Sequence, residues 1–197
     1  MKFTQIPTDL AQNIQLNAGI LLSAFTPATP TVTNLNIIGA TSGGVNFQAT
    51  PNYVDFGEDI DNCPKNTKEL KQLDSWEVKL SGSFVSAVAA TVKKLIGAAD
   101  IDGTDSTKVV PRMDLASGDF ADIWWVGDYS DKNGDTNGGF IAIHMLNGLS
   151  TGGFQIQSSD KNKGMFAFEF TGHQSMSAQT VAPFEIYVKA GTAEPTT

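Results

Sequence analysis

Apolar and polar residues alternate with a period of two along much of the chain. Ile14, Leu16, Ala18, Ile20, Leu22 and Ala24 fall on one side of the first run, with Gln15, Asn17, Gly19, Leu21 and Ser23 on the other. Val45, Phe47, Ala49, Pro51 and Tyr53 alternate in the same way with Asn46, Gln48, Thr50 and Asn52. Trp76, Val78, Leu80 and Phe84 share a face opposite Glu77, Lys79, Ser81 and Ser83. The pattern returns at Phe166, Phe168 and Phe170, against Ala167, Glu169 and Thr171, and at Phe184, Ile186 and Val188, against Glu185, Tyr187 and Lys189. Successive side chains of a strand point to opposite faces, so each run predicts a strand with one buried and one polar face. Antiparallel sheets tolerate that asymmetry.

Two runs are apolar on both faces: Ile123-Trp124-Trp125-Val126, and Phe140 through Leu146. They predict central strands, or strands covered by a helix or by another subunit. One stretch has helical spacing instead. Val88, Val92, Leu95 and Ala99 form a stripe, Ser86 is placed to cap its start, Lys93 and Lys94 fall in the last turn, and Gly97 can end it. Asn133-Gly134-Asp135 and Asn137-Gly138-Gly139 predict a hairpin between the two apolar runs, and segment 159–164 predicts another turn. Residues 100–107 read as a polar loop. Segment 57–72 is long, polar and without periodicity, and contains Cys63-Pro64. Loops of that length in a compact fold tend to carry function. Residues 1–10 and 191–197 read as terminal arms of a single domain spanning 1–197.

These elements predict a mainly β fold: an antiparallel β-sandwich or half-barrel flanked by one α-helix. At 197 residues the chain can bury a core without disulfides or a structural metal. Its formal net charge of −8 argues against a grip on nucleic acid, which needs Lys and Arg to displace counterions from phosphates. The single cysteine, Cys63, gives no intrachain disulfide and no cysteine-based zinc site. The opening residues lack the charged-then-apolar plan of a signal peptide, and residues 18–25 are too short an apolar run to span a bilayer. A protein made in the cytoplasm and soluble is the expectation.

Catalytic signatures are lacking. There is no phosphate-binding Gly-x-x-x-x-Gly-Lys-Ser/Thr loop and no Gly-x-Ser-x-Gly elbow. Asp100, Asp102 and Asp105 alternate as in calcium loops, and Asp131-Lys132-Asn133-Gly134-Asp135 resembles the middle of one. Aligned on Gly134, the first and last ligand positions fall on Tyr129 and Phe140; aligned on Gly103, they fall on Ala98 and Val109. None of these side chains binds calcium. His144 and His173 are the only histidines and predict packing or hydrogen bonds to neighbouring strands. Trp76, Trp124, Trp125 and Tyr129 could form a sugar-stacking platform, but alternation splits Trp124 from Trp125. No enzyme activity, cofactor or metal is expected.

Several stretches together resemble the major tail tube proteins of long, non-contractile-tailed bacteriophages. They are 39–47, 53–68, Trp76 through Ser83 with the Ala-rich helix that follows, Asp122-Ile123-Trp124-Trp125-Val126-Gly127-Asp128-Tyr129, 168–173 and Pro183-Phe184-Glu185-Ile186-Tyr187-Val188. The resemblance spans nearly the whole chain in one order, and its specificity lies in the combination.

It implies a virion protein, assembled in the bacterial cytoplasm, whose copies form hexameric rings. Each copy would give strands to an inner β-barrel, and stacked rings would make a hollow tube for DNA. Implied partners are further copies of the chain and the tail-tip initiator, tape measure and tail terminator proteins. Double-stranded DNA would pass without specific binding, and no membrane insertion is implied. On that reading Glu77, Glu169 and Glu185 are candidate lumen-facing acids, because they sit on polar strand faces. Gly57, Glu58, Asp59, Asp61, Cys63, Pro64, Lys65 and Lys68 belong to a candidate inter-ring loop that orders on assembly. Rival readings are the tube of a contractile tail or secretion machine, and a carbohydrate-binding β-sandwich.

Overall fold

The computed structural model describes residues 5–130 and 138–192. The hairpin turn expected around Asn133-Gly134-Asp135, the second calcium-like stretch, and most of the C-terminal arm lie outside the described residues. The strands in chain order are β1 (Gln15–Leu22), β2 (Ile37–Gly39), β3 (Thr41–Asp55), β4 (Lys71–Phe84), β5 (Ala99–Ile101), β6 (Val109–Pro111), β7 (Ala121–Tyr129), β8 (Phe140–Ser150), β9 (Gln155–Gln157), β10 (Met165–Gly172) and β11 (Phe184–Lys189). One α-helix, α1 (Ala89–Ile96), follows β4. The mainly β, antiparallel fold with one helix agrees with the alternation.

Nine strands form one sheet in the order β2-β1-β7-β8-β10-β4-β3, with β11 on β8 and β9 on β10. β5 and β6 make a separate hairpin. β8 joins two layers. It pairs with β11 as far as Met145 and with β7 as far as Gly148, while Leu149 and Ser150 at its end pair with β10. Asn147 has φ 47° at the crossing, and the β7 register shifts between Ala121 and Ile123. A bulge bends a strand in this way. β2 and β3, at the two ends of the strand order, are separated in sequence by Ala40 alone. The sheet therefore curls back on itself as a half-barrel.

The main core lies inside the curl. Leu21, Ile38, Ile123 and Met145 from one layer meet Val78, Leu80, Phe84, Phe168 and Phe170 from the other, with Leu95 of α1 closing the end. A second cluster sits on the opposite face of β7 and β8, where Leu22, Trp124, Phe140 and Ala142 are covered by Phe25. This explains why those two strands are apolar on both faces. It also corrects the reading of β1. Leu21 and Leu22 are both fully buried, because these consecutive strand residues point to opposite faces and each face carries one of the two clusters.

The helix is shorter than its sequence stripe. It starts after Val88, which is exposed and makes no side-chain cap. The hydroxyl of Ser86 instead accepts a hydrogen bond from the Ala40 amide, at the joint between β2 and β3. Ala99 is not helical; it pairs with Pro111. Asp100 and Ile101, expected in the polar loop, pair with Val110 and Val109, so the tip of the β5–β6 hairpin is residues 102–108. At the other helix end the Ser150 hydroxyl donates to the Leu95 carbonyl, and Gly97 takes φ 84°. Among the described residues no helix is long and apolar enough to cross a membrane.

Candidate functional site

The outer face of β3, β4 and β10 is a continuous polar surface across three strands. The pairing sets Asn46 beside Ser81, Gln48 beside Lys79 and Thr50 beside Glu77, then Glu169 beside Ser81 and Thr171 beside Lys79. The opposite face of the same strands carries Phe47, Val78, Leu80, Phe168 and Phe170. One-residue alternation thus separates core from water across three strands.

Glu77 and Glu169 stand on this polar face. The Lys79 ammonium lies between them and bonds Glu77 Oε1 at 2.6 Å. That hydrogen bond and the charge of Glu77 raise the Lys79 pKa, with a smaller push from Glu169. Glu169 Oε1 accepts from the Thr151 hydroxyl, which also meets Thr171 Oγ1 at 2.8 Å. The rest of the face is neutral amide and hydroxyl. A shallow depression of about 370 Å³ runs between Ser81, Ser83, Gln155 and Glu169.

Glu185 is not with them. It lies on β11, opposite His144, on the outward face of the other layer. There His144 Nε2 is 3.2 Å from Asp122 Oδ2, and Nδ1 is 3.4 Å from Glu185 Oε2. The Tyr187 hydroxyl donates to Glu185 Oε2 at 2.6 Å and Trp124 stacks on the imidazole. The tyrosine bond, and secondarily His144, hold the Glu185 carboxyl below its usual range. Three of the expected acids therefore divide into a pair on one face and a third in a histidine-centred network, a division that strand alternation alone does not reveal. His173 is structural: its ring Nδ1 meets the Asn147 carbonyl at 3.2 Å at the crossing of the layers.

The long loop is narrower than read. Lys71 and Gln72 belong to β4, since pairing continues to Asp55 opposite Lys71. Within the loop, Asp55 accepts from the amides of Gly57 and Asn66, and those two bonds lower its pKa. The Thr67 hydroxyl donates to the Pro64 carbonyl, and Cys63 Sγ lies 3.6 Å from Thr67 Oγ1. The loop thus has a hydrogen-bonded framework of its own within the single chain. Gly57 is buried and Cys63 half-buried in that framework, whereas Glu58, Asp59, Asp61, Pro64, Lys65 and Lys68 face outward. Tyr53, Val54, Phe56, Ile60 and Leu73 are exposed around them, an apolar cuff that alternation alone assigned to the core at Tyr53.

Other chemistry is thin. Asp102 accepts from Thr104 and Asp105 within its own turn, which takes its pKa to about 2. Among the described residues no group of three or more His, Cys, Asp or Glu side chains is placed to hold a metal. Trp124 is buried, and Trp76 and Trp125 pack against the main core, so the tryptophans form no open platform. No family model matches the sequence, and no curated protein matches it.

Proposed function

We propose that this chain is the repeating subunit of a hollow, self-assembled tube, the tail tube of a long-tailed bacteriophage. The observation that carries the reading is the outer face of β3, β4 and β10: long, polar and nearly uncharged, with acidic excess from Glu77 and Glu169 over Lys79. A sheet face of that kind suits the wall of a water-filled channel. Its acids repel phosphate, and Lys79, the lysine between them, is already paired with Glu77 rather than free to hold DNA.

Two further features fit assembly. Among the described residues, the 15-residue edge strand β3 has β4 as its only ladder partner, and β11 is paired only to β8. Free edges of that length are a hazard in an isolated protein and a resource in a ring. The β3–β4 hairpin ends in an exposed apolar and acidic loop, as a contact between rings requires.

Electron microscopy of the concentrated protein, with light scattering on the same sample, tests the reading. Hollow tubes or six-fold rings are expected. A strict monomer that also fails to extend tubes from a phage tail-tip complex overturns it.

A further inference from the structure

β4 places two unlike surfaces at its two ends. At the Lys71 end is the loop tip Glu58-Asp59-Ile60-Asp61, in which all four side chains are exposed. Among the described residues none of its three carboxylates has a hydrogen bond or ion pair. At the Phe84 end lies α1, held there by the Thr91 hydroxyl bond to the Ile38 carbonyl and by Leu95 in the core. The 14 residues of β4 separate the two ends by about 40 Å at the usual strand rise.

Beside α1 is a cavity of about 240 Å³, lined by Lys93, Lys94 and Gly97 from the helix side and by Ile101 and Asp119 opposite. The charges around it are mostly satisfied. Lys93 pairs with Asp100, Asp119 is buried against Arg112, and Arg112 also holds Asp100 and Asp114. Lys94 is the exception. It is half-buried, lines the cavity, and has no partner among the described residues. Burial, and then the neighbouring charge of Lys93, lower its pKa. An ammonium in that position is stabilised by any carboxylate that enters the cavity.

We propose that the Lys94 cavity receives the acidic loop tip, residues 58–61, of a second copy of this chain. Ile60 enters against the aliphatic lining, and one of the flanking carboxylates pairs with Lys94. Donor and acceptor lie at opposite poles of one strand, so the contact is head-to-tail and repeats without closing, which is the geometry of a stack. The contact rests on the tube reading and names the surface that the loop meets in the next ring.

The test uses the full chain in three forms: wild type, Lys94→Glu, and a loop reversal carrying Glu58→Lys, Asp59→Lys and Asp61→Lys. Circular dichroism first establishes that each folds. Either variant alone should assemble poorly, with a critical concentration raised about tenfold or more. An equimolar mixture should assemble again, because each loop then finds a cavity of opposite charge. Lys94 acylation by an N-hydroxysuccinimide ester, read by mass spectrometry, should slow as wild-type protein assembles. Tubes of unaltered length from Lys94→Glu, or Lys94 labelling equally fast in tube and monomer, overturn the contact and leave the tube reading standing. A mixture that stays as poor as its components also overturns it. A wild-type chain that is monomeric at every concentration, yet extends a tail-tip complex without protecting Lys94, does the same.

Discussion

The indole of Trp124 lies flat on the imidazole of His144, with ring centroids 3.9 Å apart and planes 7° from parallel. The two residues are paired across β7 and β8. The stack leaves both imidazole nitrogens free for carboxylates, Asp122 on one side and Glu185 on the other. His144 is thereby a tie between three strands, and Glu185 is its grip on β11. Replacing His144 with Ala removes the tie and the stack together. We expect a loss of about 1–2 kcal/mol in denaturant unfolding. Faster amide exchange at Ile186 and Val188 than in the central strands should accompany it. Unchanged exchange along β11 would show that the edge strand holds without His144.

The main core makes a larger demand. Phe84 is fully buried and its ring centroid is 4.4 Å from that of Phe168. It packs between the two layers at the point where Gly39 of β2 crosses it; a Cβ at Gly39 would come within 2.9 Å of its ring. Truncating Phe84 to Ala opens a cavity at the joint of the half-barrel and should cost about 3–5 kcal/mol. Urea unfolding measures it, and a loss below 1 kcal/mol would mean that the layers close over the gap.

Stability should fall in acid. Asp55, Asp105, Asp119 and Glu185 have lowered pKa values, and that of Asp102 is near 2. A carboxyl that is more acidic in the folded chain stabilises the fold above its unfolded pKa. That contribution is lost as pH falls through the folded value. The window is therefore from about pH 4 down to about pH 2. The urea midpoint should decline across it, and Asp102→Asn should flatten the lower part of the curve. An equal slope in Asp102→Asn and wild type would remove Asp102 from the account.

Much of this fold is legible in the sequence, and the misreadings have physical causes. Alternation locates β4 and β10 because each has one wet face; on β11 it finds the strand but misassigns Ile186 and Val188, which are exposed on this edge strand rather than buried. It fails at Leu21, because both faces of β1 are covered there: Leu21 packs in the main core and Leu22 in the second cluster. It overstates the core at Tyr53, since a hairpin keeps its pleat after it has left the body of the protein. Ser86 has the chemistry of a helix cap but spends its hydroxyl on Ala40, a partner remote in sequence. For the candidate site, polarity identifies Glu77, Glu169 and Glu185 alike. Only strand order shows that the first two share a face and that the third belongs to His144. Lys94 gives no signal in the sequence beyond a basic last turn, because its isolation depends on how every neighbouring cation is paired.

Gly19 tests the bulge in β1, where its register on β7 shifts between Leu16 and Ile20. Its φ is +68°, and a Cβ there would lie 2.6 Å from the Trp125 ring and 2.7 Å from the Val126 carbonyl. Gly19→Ala meets both the left-handed backbone penalty and a collision with main chain. A loss of about 2–3 kcal/mol is expected, with altered tryptophan emission as Trp125 is pushed from its bond to the Ala18 carbonyl. A neutral substitution would mean that β1 can abandon the bulge.

The polar face of β3, β4 and β10 gives the most direct test of the channel. Glu77 and Glu169 are on the surface of the single chain, so Glu77→Lys with Glu169→Lys should change unfolding by only about 0.5 kcal/mol. Each substitution changes the charge by two, so the double variant moves the formal net charge from −8 to −4. Four units per copy would be concentrated on one sheet face, and in a ring they would add around a single bore. If that face lines the lumen, tubes of the double variant should still form but should retain double-stranded DNA. Retention should weaken steeply with added salt, because it depends on counterion release. Wild-type tubes should retain none under the same conditions. Variant tubes that pass DNA as freely as wild type would place this face elsewhere in the assembly.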